Sequence, residues 1–300
     1  MNIAIAGGTG FVGTKLTSLL TNAGHHVYIL TRSPEKFSNT NAITYVGWLK
    51  EGMQPESELQ DCDAIINLAG ESLFGYWTEE KKQRILSSRV EATNRVIELI
   101  QAMENKPNVL VNASAVGFYG TSDQKTFTEQ TTTAGNDFLA YVTKKWENTA
   151  NKAVAFDVRV VHARLGIVLG ETGTLSLMSL PFKFFVGGPI GSGEQWLSWV
   201  HVDDVVRMLL FAIEEKNVTG PMNVTAPKPV RNKVFSQQLA SVMHRPNKIR
   251  VPSFVIRTLL GEMSILVVEG QAVLPNKALS HDFHFRYDDL DVALQAIYSK

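Results

Sequence analysis

A short apolar strand, Ile3-Ala4-Ile5-Ala6, runs straight into Gly7-Gly8-Thr9-Gly10-Phe11-Val12-Gly13, and this junction constrains the chain more than any other stretch. Glycines at 7, 10 and 13 suit a strand that turns sharply, a backbone that approaches a pyrophosphate, and a helix packed close on a sheet. Val12, Leu16, Leu19 and Leu20 follow at helical spacing, so the first amides of that helix would face phosphate. With His26-Val27-Tyr28-Ile29-Leu30 as the next strand, the run has the strand, turn and helix context that a dinucleotide motif requires.

The first half of the chain alternates strands and helices. Strands are predicted near 2–6, 26–31, 42–46, 64–69 and 109–114, and helices near 11–23, 78–103 and 137–153. Such alternation implies an α/β fold, a Rossmann-type doubly wound parallel sheet. The helix from Thr78 is marked by Leu86, Val90, Thr93, Ile97 and Ile100, stepping by four and three, with Glu79 and Glu80 in its first turn. Asp157 to Leu169 predicts a further strand and its exit, and Trp196 to His201 another strand. Asp203 is a good N-cap for a helix over 204–214, after which Met222 to Val224 suits one more strand of the main sheet. Phe283 to Tyr287 is expected as a strand and 288–298 as a helix. The expected organisation is a cofactor-binding unit over 1–170, joined by a strand near 221–225, and a smaller mixed α/β C-terminal substrate lobe over 171–300. Phe182, Phe184, Phe185, Trp196 and Trp199 are expected chiefly in the core of that lobe.

Lys+Arg and Asp+Glu both total 29, and this balance argues against an electrostatic nucleic-acid binder or a polybasic membrane module, though local patches stay open. The single Cys62 can form no internal disulfide, and Met1 leads directly into a strand with no leader pattern, so a cytoplasmic protein is expected. The apolar stretch 205–213 is interrupted by Arg207 and falls short of the roughly 20 residues that span a bilayer.

NAD-preferring folds of this kind place a carboxylate at the end of the second strand, to hold the ribose 2′-hydroxyl. Here Thr31-Arg32-Ser33 offers a guanidinium and two hydroxyls instead, groups suited to a 2′-phosphate, so NADP is expected over NAD. In open parallel sheets the ligand lies beyond the carboxyl ends of the strands. That rule singles out Asn67-Leu68-Ala69-Gly70-Glu71, Ala113-Ser114-Ala115 and Arg164-Leu165-Gly166-Ile167. Leu68, Ala69 and Gly70 are candidate cofactor contacts, with Gly7, Thr9, Gly10, Phe11, Val12, Gly13, Thr31 and Arg32. Glu71 can serve as an acid or base if burial raises its pKa, or can brace a helix. Arg89 can hold a substrate phosphate, and Arg164 can reach substrate or pair with a carboxylate. His281-x-x-His284 is the only tight imidazole pair, and without a further ligand nearby it predicts surface histidines and no metal site.

Together, the glycine loop, Asn67-Leu68-Ala69-Gly70-Glu71, Ser88-Arg89-Val90, Ser114-Ala115-Val116-Gly117-Phe118-Tyr119-Gly120 and Trp199-Val200-His201-Val202-Asp203-Asp204 resemble the extended short-chain dehydrogenases/reductases. More narrowly, the chain resembles the epimerase-like subfamily labelled nucleoside-diphosphate-sugar epimerase. Its distinctive C-terminal region is matched by Gly220 to Pro227 and by Val273-Leu274-Pro275-Asn276-Lys277. The resemblance implies proton exchange by a Ser and a Tyr-x-x-x-Lys pair, beside hydride exchange with NAD(P). A literal pair stands at Tyr141 and Lys145, while alignment through Trp146-Glu147 puts Leu139 and Thr143 at those positions. Two residues rotate a helix by about 200°, so only one placement faces the nicotinamide. Ser114 is a candidate for a substrate oxygen, although Ala115 competes for the serine's place. The expected activity is an oxidoreductase or epimerase-like conversion of a hydroxyl or carbonyl in a small polar, nucleotide-sugar-like substrate, with a silent NADP(H)-binding module as the alternative. The resemblance also permits a homodimer.

Overall fold

Alternate residues of the first strand face opposite ways, and each set meets its own layer of helices. Ile3 and Ile5 join a core with Leu16, Leu20, Val205 and Leu209. Ala4 and Ala6 join another with Ala92, Val96, Ile97 and Ile100. Strands buried on both faces are what an all-parallel sheet between helices requires. The computed structural model describes residues 1–50, 52–59 and 61–298. Among these, seven strands build one sheet: β1 (Asn2–Ala6), β2 (His26–Thr31), β3 (Ile43–Gly47), β4 (Ala64–Asn67), β5 (Val109–Ala115), β6 (Arg159–Leu165) and β7 (Gly220–Val224). Their order is β7-β6-β5-β4-β1-β2-β3, and every neighbouring pair is parallel. The order reverses between β1 and β4, which is where such sheets open a ligand crevice.

Helices α1 (Phe11–Asn22), α2 (Glu79–Ala102), α3 (Phe138–Ala150), α4 (Thr174–Lys183) and α5 (Val202–Glu214) follow in chain order. α1 and α5 cover one face, α2 and α3 the other. Thr78 caps α2 by accepting from the Lys81 amide, and Asp137 caps α3 by accepting from the Ala140 amide at 2.9 Å. Beyond β7 the chain adds α6 (Asn232–Val242), α7 (Ser253–Leu260), shorter helical segments and a helix over Leu290–Tyr298. Trp199, Phe235, Leu239 and Leu294 form the core there. The glycine-rich run from 187 lies along 249–251, with the amides of Ile249 and Val251 donating to Gly187 and Pro189. No helix among the described residues is long and apolar enough to cross a membrane.

Four local expectations are corrected. α5 begins at Val202, because His201 Nδ1, not Asp203, accepts the first free amide, at 3.1 Å from Asp203 N. Phe283 to Tyr287 is irregular, not a strand: the buried Asp204 carboxylate accepts the amides of Arg286 and Tyr287 at 3.0 and 2.8 Å, so those donors have a side chain as partner. The strand expected over 196–201 divides at Ser198. Its first half pairs antiparallel with Val230–Arg231, its second parallel with Ile167–Leu169. Phe184 and Phe185 are 70% and 59% exposed, unlike the buried Phe182 and Trp199. α4 ends at Lys183, Phe185 takes a left-handed φ of 64°, and the Arg245 guanidinium lies 4.7 Å over its ring.

Candidate functional site

At the crevice between β1 and β4 the backbone leaves no room for side chains. A Cβ on Gly7, whose φ is +80°, would stand 2.9 Å from the Leu68 carbonyl carbon, and a Cβ on Gly13 only 2.3 Å from Gly7 O. α1 thus rests directly on the loop that precedes it. Gly10 caps this helix with no side-chain hydrogen bond, and no acidic residue occupies the first turn, so its leading amides and positive dipole end suit an anion. Thr9 and Gly10 are exposed, Val12 packs on the core, and the Phe11 ring lies under the loop at Gly170 and Gly173. Leu68, Ala69 and Gly70 form the opposite lip. The Leu68 amide donates to Ala6 O, and the Ala69 amide to Asn67 Oδ1. At the end of β2, Thr31 Oγ1 accepts from the Ser33 amide, while the exposed Arg32 guanidinium has no partner among the described residues. A glycine cradle, an uncapped helix start and an uncommitted guanidinium fit a phosphorylated dinucleotide.

The loop after β4 also gathers Glu71 and Arg89. Arg89 Nη1 donates to Glu71 O and Ile85 O, both at 3.0 Å, and its guanidinium lies 5.1 Å over the Trp146 ring. Burial lowers its pKa to about 10, which still leaves it charged at neutral pH. That donor braces the loop. The Glu71 side chain is tied to Lys81 at 2.8 Å, with Arg84 3.5 Å away, and the hydrogen bond from Lys81 leads in holding its carboxyl below the ordinary range. The raised carboxyl that acid chemistry at Glu71 would need is therefore opposite to the environment found.

Register brings Ser114, Arg164 and Asn223 side by side at the ends of β5, β6 and β7. Glu147 of α3 reaches down to the first two. Arg164 donates to its two oxygens at 2.7 and 2.8 Å, and Ser114 Oγ donates to Oε1 at 2.7 Å. The Arg164 guanidinium stacks 3.5 Å from the Phe118 ring centroid. Burial alone would depress its pKa, but the Glu147 hydrogen bonds and charge leave it raised. Arg164 thus pairs with a carboxylate through Nε and Nη2. Beside this group, Asn67 Nδ2 donates to Thr93 Oγ1 and Asn112 Oδ1, and Trp146 Nε1 donates to Thr93 Oγ1. Sequence reasoning used Glu147 only as an alignment marker. Its signal was a carboxylate next to a helix's apolar stripe, with an arginine in the apolar strand that follows.

Tyr141 and Lys145 do pair, with Nζ 5.7 Å from the ring centroid, but Tyr141 is 50% exposed and Lys145 is exposed as well. Neither is hydrogen-bonded to Ser114. Thr143 is buried and returns its hydroxyl to Leu139 O and Ala140 O. Leu139 lies beside the turn that follows β5, 3.2 Å from where a Cβ on Gly117 would stand. It also lines a cavity of about 460 Å³ with Trp77, Asp137, Phe138, Arg257 and Ile265. The residues contributed by 257–269 were not singled out from sequence, since nothing local connects them to α3. His281 and His284 bond the backbone carbonyls of Lys277 and Asp282.

The family described as NAD dependent epimerase/dehydratase matches residues 3–225, and a domain of unknown function, DUF1731, matches 251–297. The epimerase family protein YfhF of Bacillus subtilis is 52% identical over 297 residues, covering 99% of this chain and 98% of the relative. The crystal structure of human epimerase family protein SDR39U1 (isoform 2) with NADPH aligns over 100% of both chains, with a TM-score of 0.86 and 31% identity. UDP-glucuronic acid 4-epimerase from Bacillus cereus, in complex with UDP-glucuronic acid and NAD, aligns over 100% of this chain and 98% of its own. Its TM-score is 0.81 at 17% identity, a likeness of fold alone. The chain belongs to the NAD dependent epimerase/dehydratase family, as an extended short-chain dehydrogenase/reductase with a DUF1731 C-terminal segment.

Proposed function

We propose that this protein is an NADP-dependent oxidoreductase or epimerase-like enzyme acting on a hydroxyl or carbonyl group of a small substrate. The observation that carries the reading is the close-packed Gly7 to Gly13 turn, with the exposed, uncommitted Arg32 at the end of β2. The amides from Gly10 to Gly13 would hold the pyrophosphate, Thr31 and Arg32 the 2′-phosphate, and Leu68, Ala69 and Gly70 the ribose on the β4 side. A bound pyridine dinucleotide supplies or accepts hydride. The NADPH held by the human relative is in keeping with this assignment.

Arg32→Asp tests the cofactor choice. A charge-assisted hydrogen bond contributes about 1.5–3 kcal/mol, so NADPH affinity should fall roughly 10- to 100-fold in a calorimetric titration, with NADH affinity little changed. Equal losses for both cofactors would remove the assignment.

Ser114 acts, in this reading, through Glu147 as a positioning group, and Tyr141 is not the proton donor. Losing a true general acid costs about 10²–10⁴-fold in rate. Tyr141→Phe should therefore lower kcat by less than about 3-fold on any carbonyl compound that the protein reduces with NADPH, well short of that cost. A second reading, a cofactor-holding sensor without turnover, is favoured by the outward-facing Tyr141 and Lys145 and by Leu139 at the cavity wall. Tight NADPH binding without oxidation across a broad carbonyl panel would select it.

A further inference from the structure

The cavity beside Leu139 has a chemical character of its own. Trp77, Phe138, Leu139 and Ile265 form apolar walls, and Trp77 is held in place by its Nε1 hydrogen bond to Leu73 O at 2.8 Å and by its edge contact with Phe138. A nucleoside diphosphate needs uncommitted cations or open helix amides to hold it. The lining offers one guanidinium, Arg257, and that group is paired with Glu269 at 3.1 Å. Three carboxylates, Asp137, Glu262 and Glu269, stand around the same space. The start of α3 opens onto it, yet the Asp137 carboxylate already accepts there, so the protein's own anion fills the place a phosphate would take. Lys82, whose Nζ lies 5.8 Å from the Phe138 ring centroid, is drawn to Glu79 and Glu262.

We propose that this cavity takes an uncharged, predominantly apolar ketone, aldehyde or alcohol and excludes nucleoside-diphosphate sugars. The proposal rests on the reading of the site as a hydride-transfer centre, and it narrows the substrate from the polar, nucleotide-linked class that family resemblance suggests. A volume of about 460 Å³ lies within the range of pockets for small apolar ligands, whose walls are mostly hydrophobic with few polar groups. A diphosphate would bring two negative charges among three carboxylates, with no free cation in the lining to meet them.

The test uses the full chain saturated with NADPH, titrated by calorimetry and tryptophan fluorescence with 2-decalone, acetophenone and UDP-glucose. The ketones should bind at least 10-fold more tightly than UDP-glucose and change Trp77 emission, a change absent in Trp77→Phe. Leu139→Glu and Ile265→Glu should each weaken ketone binding at least 10-fold, while an unchanged NADPH titration shows that either variant is folded. UDP-glucose binding as tightly as the ketones, no binding by either class, or ketone affinities indifferent to both substitutions would overturn the proposal. Failure of NADPH itself to bind the unsubstituted protein would instead overturn the functional reading beneath it.

Discussion

Arg164→Ala should destabilise this protein by roughly 3–5 kcal/mol in urea denaturation, the cost of leaving a buried charge without its partner. Glu147 is 6% exposed, and its oxygens accept three hydrogen bonds, two from Arg164 and one from Ser114. Removing the guanidinium takes two of those three donors from a buried carboxylate and leaves it only Ser114. The double variant Glu147→Leu/Arg164→Met should recover most of the loss, because well-packed apolar replacements of buried ion pairs are often neutral. The loss should also reach the site, since the Glu147 carboxylate that accepts from Ser114 is no longer held by the guanidinium and the turn from Val116 to Tyr119 loses the cation stacked on its aromatic rings. Arg164→Ala unfolding within about 1 kcal/mol of the parent would mean that the pair is not desolvated as described.

Gly13→Val should abolish NADPH binding, with an affinity loss above 100-fold, or about 3 kcal/mol, in calorimetric titration. A Cβ at this position would come within 2.3 Å of Gly7 O and 2.6 Å of Gly8 Cα, both backbone atoms with no rotamer to change. α1 would have to lift from the loop, which moves its leading amides away from the phosphate. Gly7→Ala should lose affinity too, since its left-handed φ of +80° disfavours a side chain and its Cβ would press on the Leu68 carbonyl. If Gly13→Val binds NADPH with parental affinity, the cofactor does not sit on this turn.

What sequence alone determined were the features governed by neighbouring residues. The glycine spacing follows from backbone approach within one turn. The parallel sheet follows from alternating strand and helix patterns, and the expectation of NADP follows from Arg32 standing where NAD-preferring folds place a carboxylate. Even local signals failed where a distant group took over a backbone donor, as Asp204 does at Arg286 and Tyr287. Tertiary structure decided the rest. The apolar alternation of 283, 285 and 287 is the same whether the amides find a strand or a buried carboxylate. Tyr141 and Lys145 satisfy the motif's spacing equally well on either side of a helix, and only the packing of Val142 and Trp146 turned them to solvent while Leu139 met the cavity. The Glu147, Arg164 and Ser114 group and the walls around Trp77, Leu139 and Ile265 join residues far apart in the chain. Such contacts form only when the sheet and the C-terminal helices pack, because desolvation and charge pairing depend on distance in space and leave no period in the sequence.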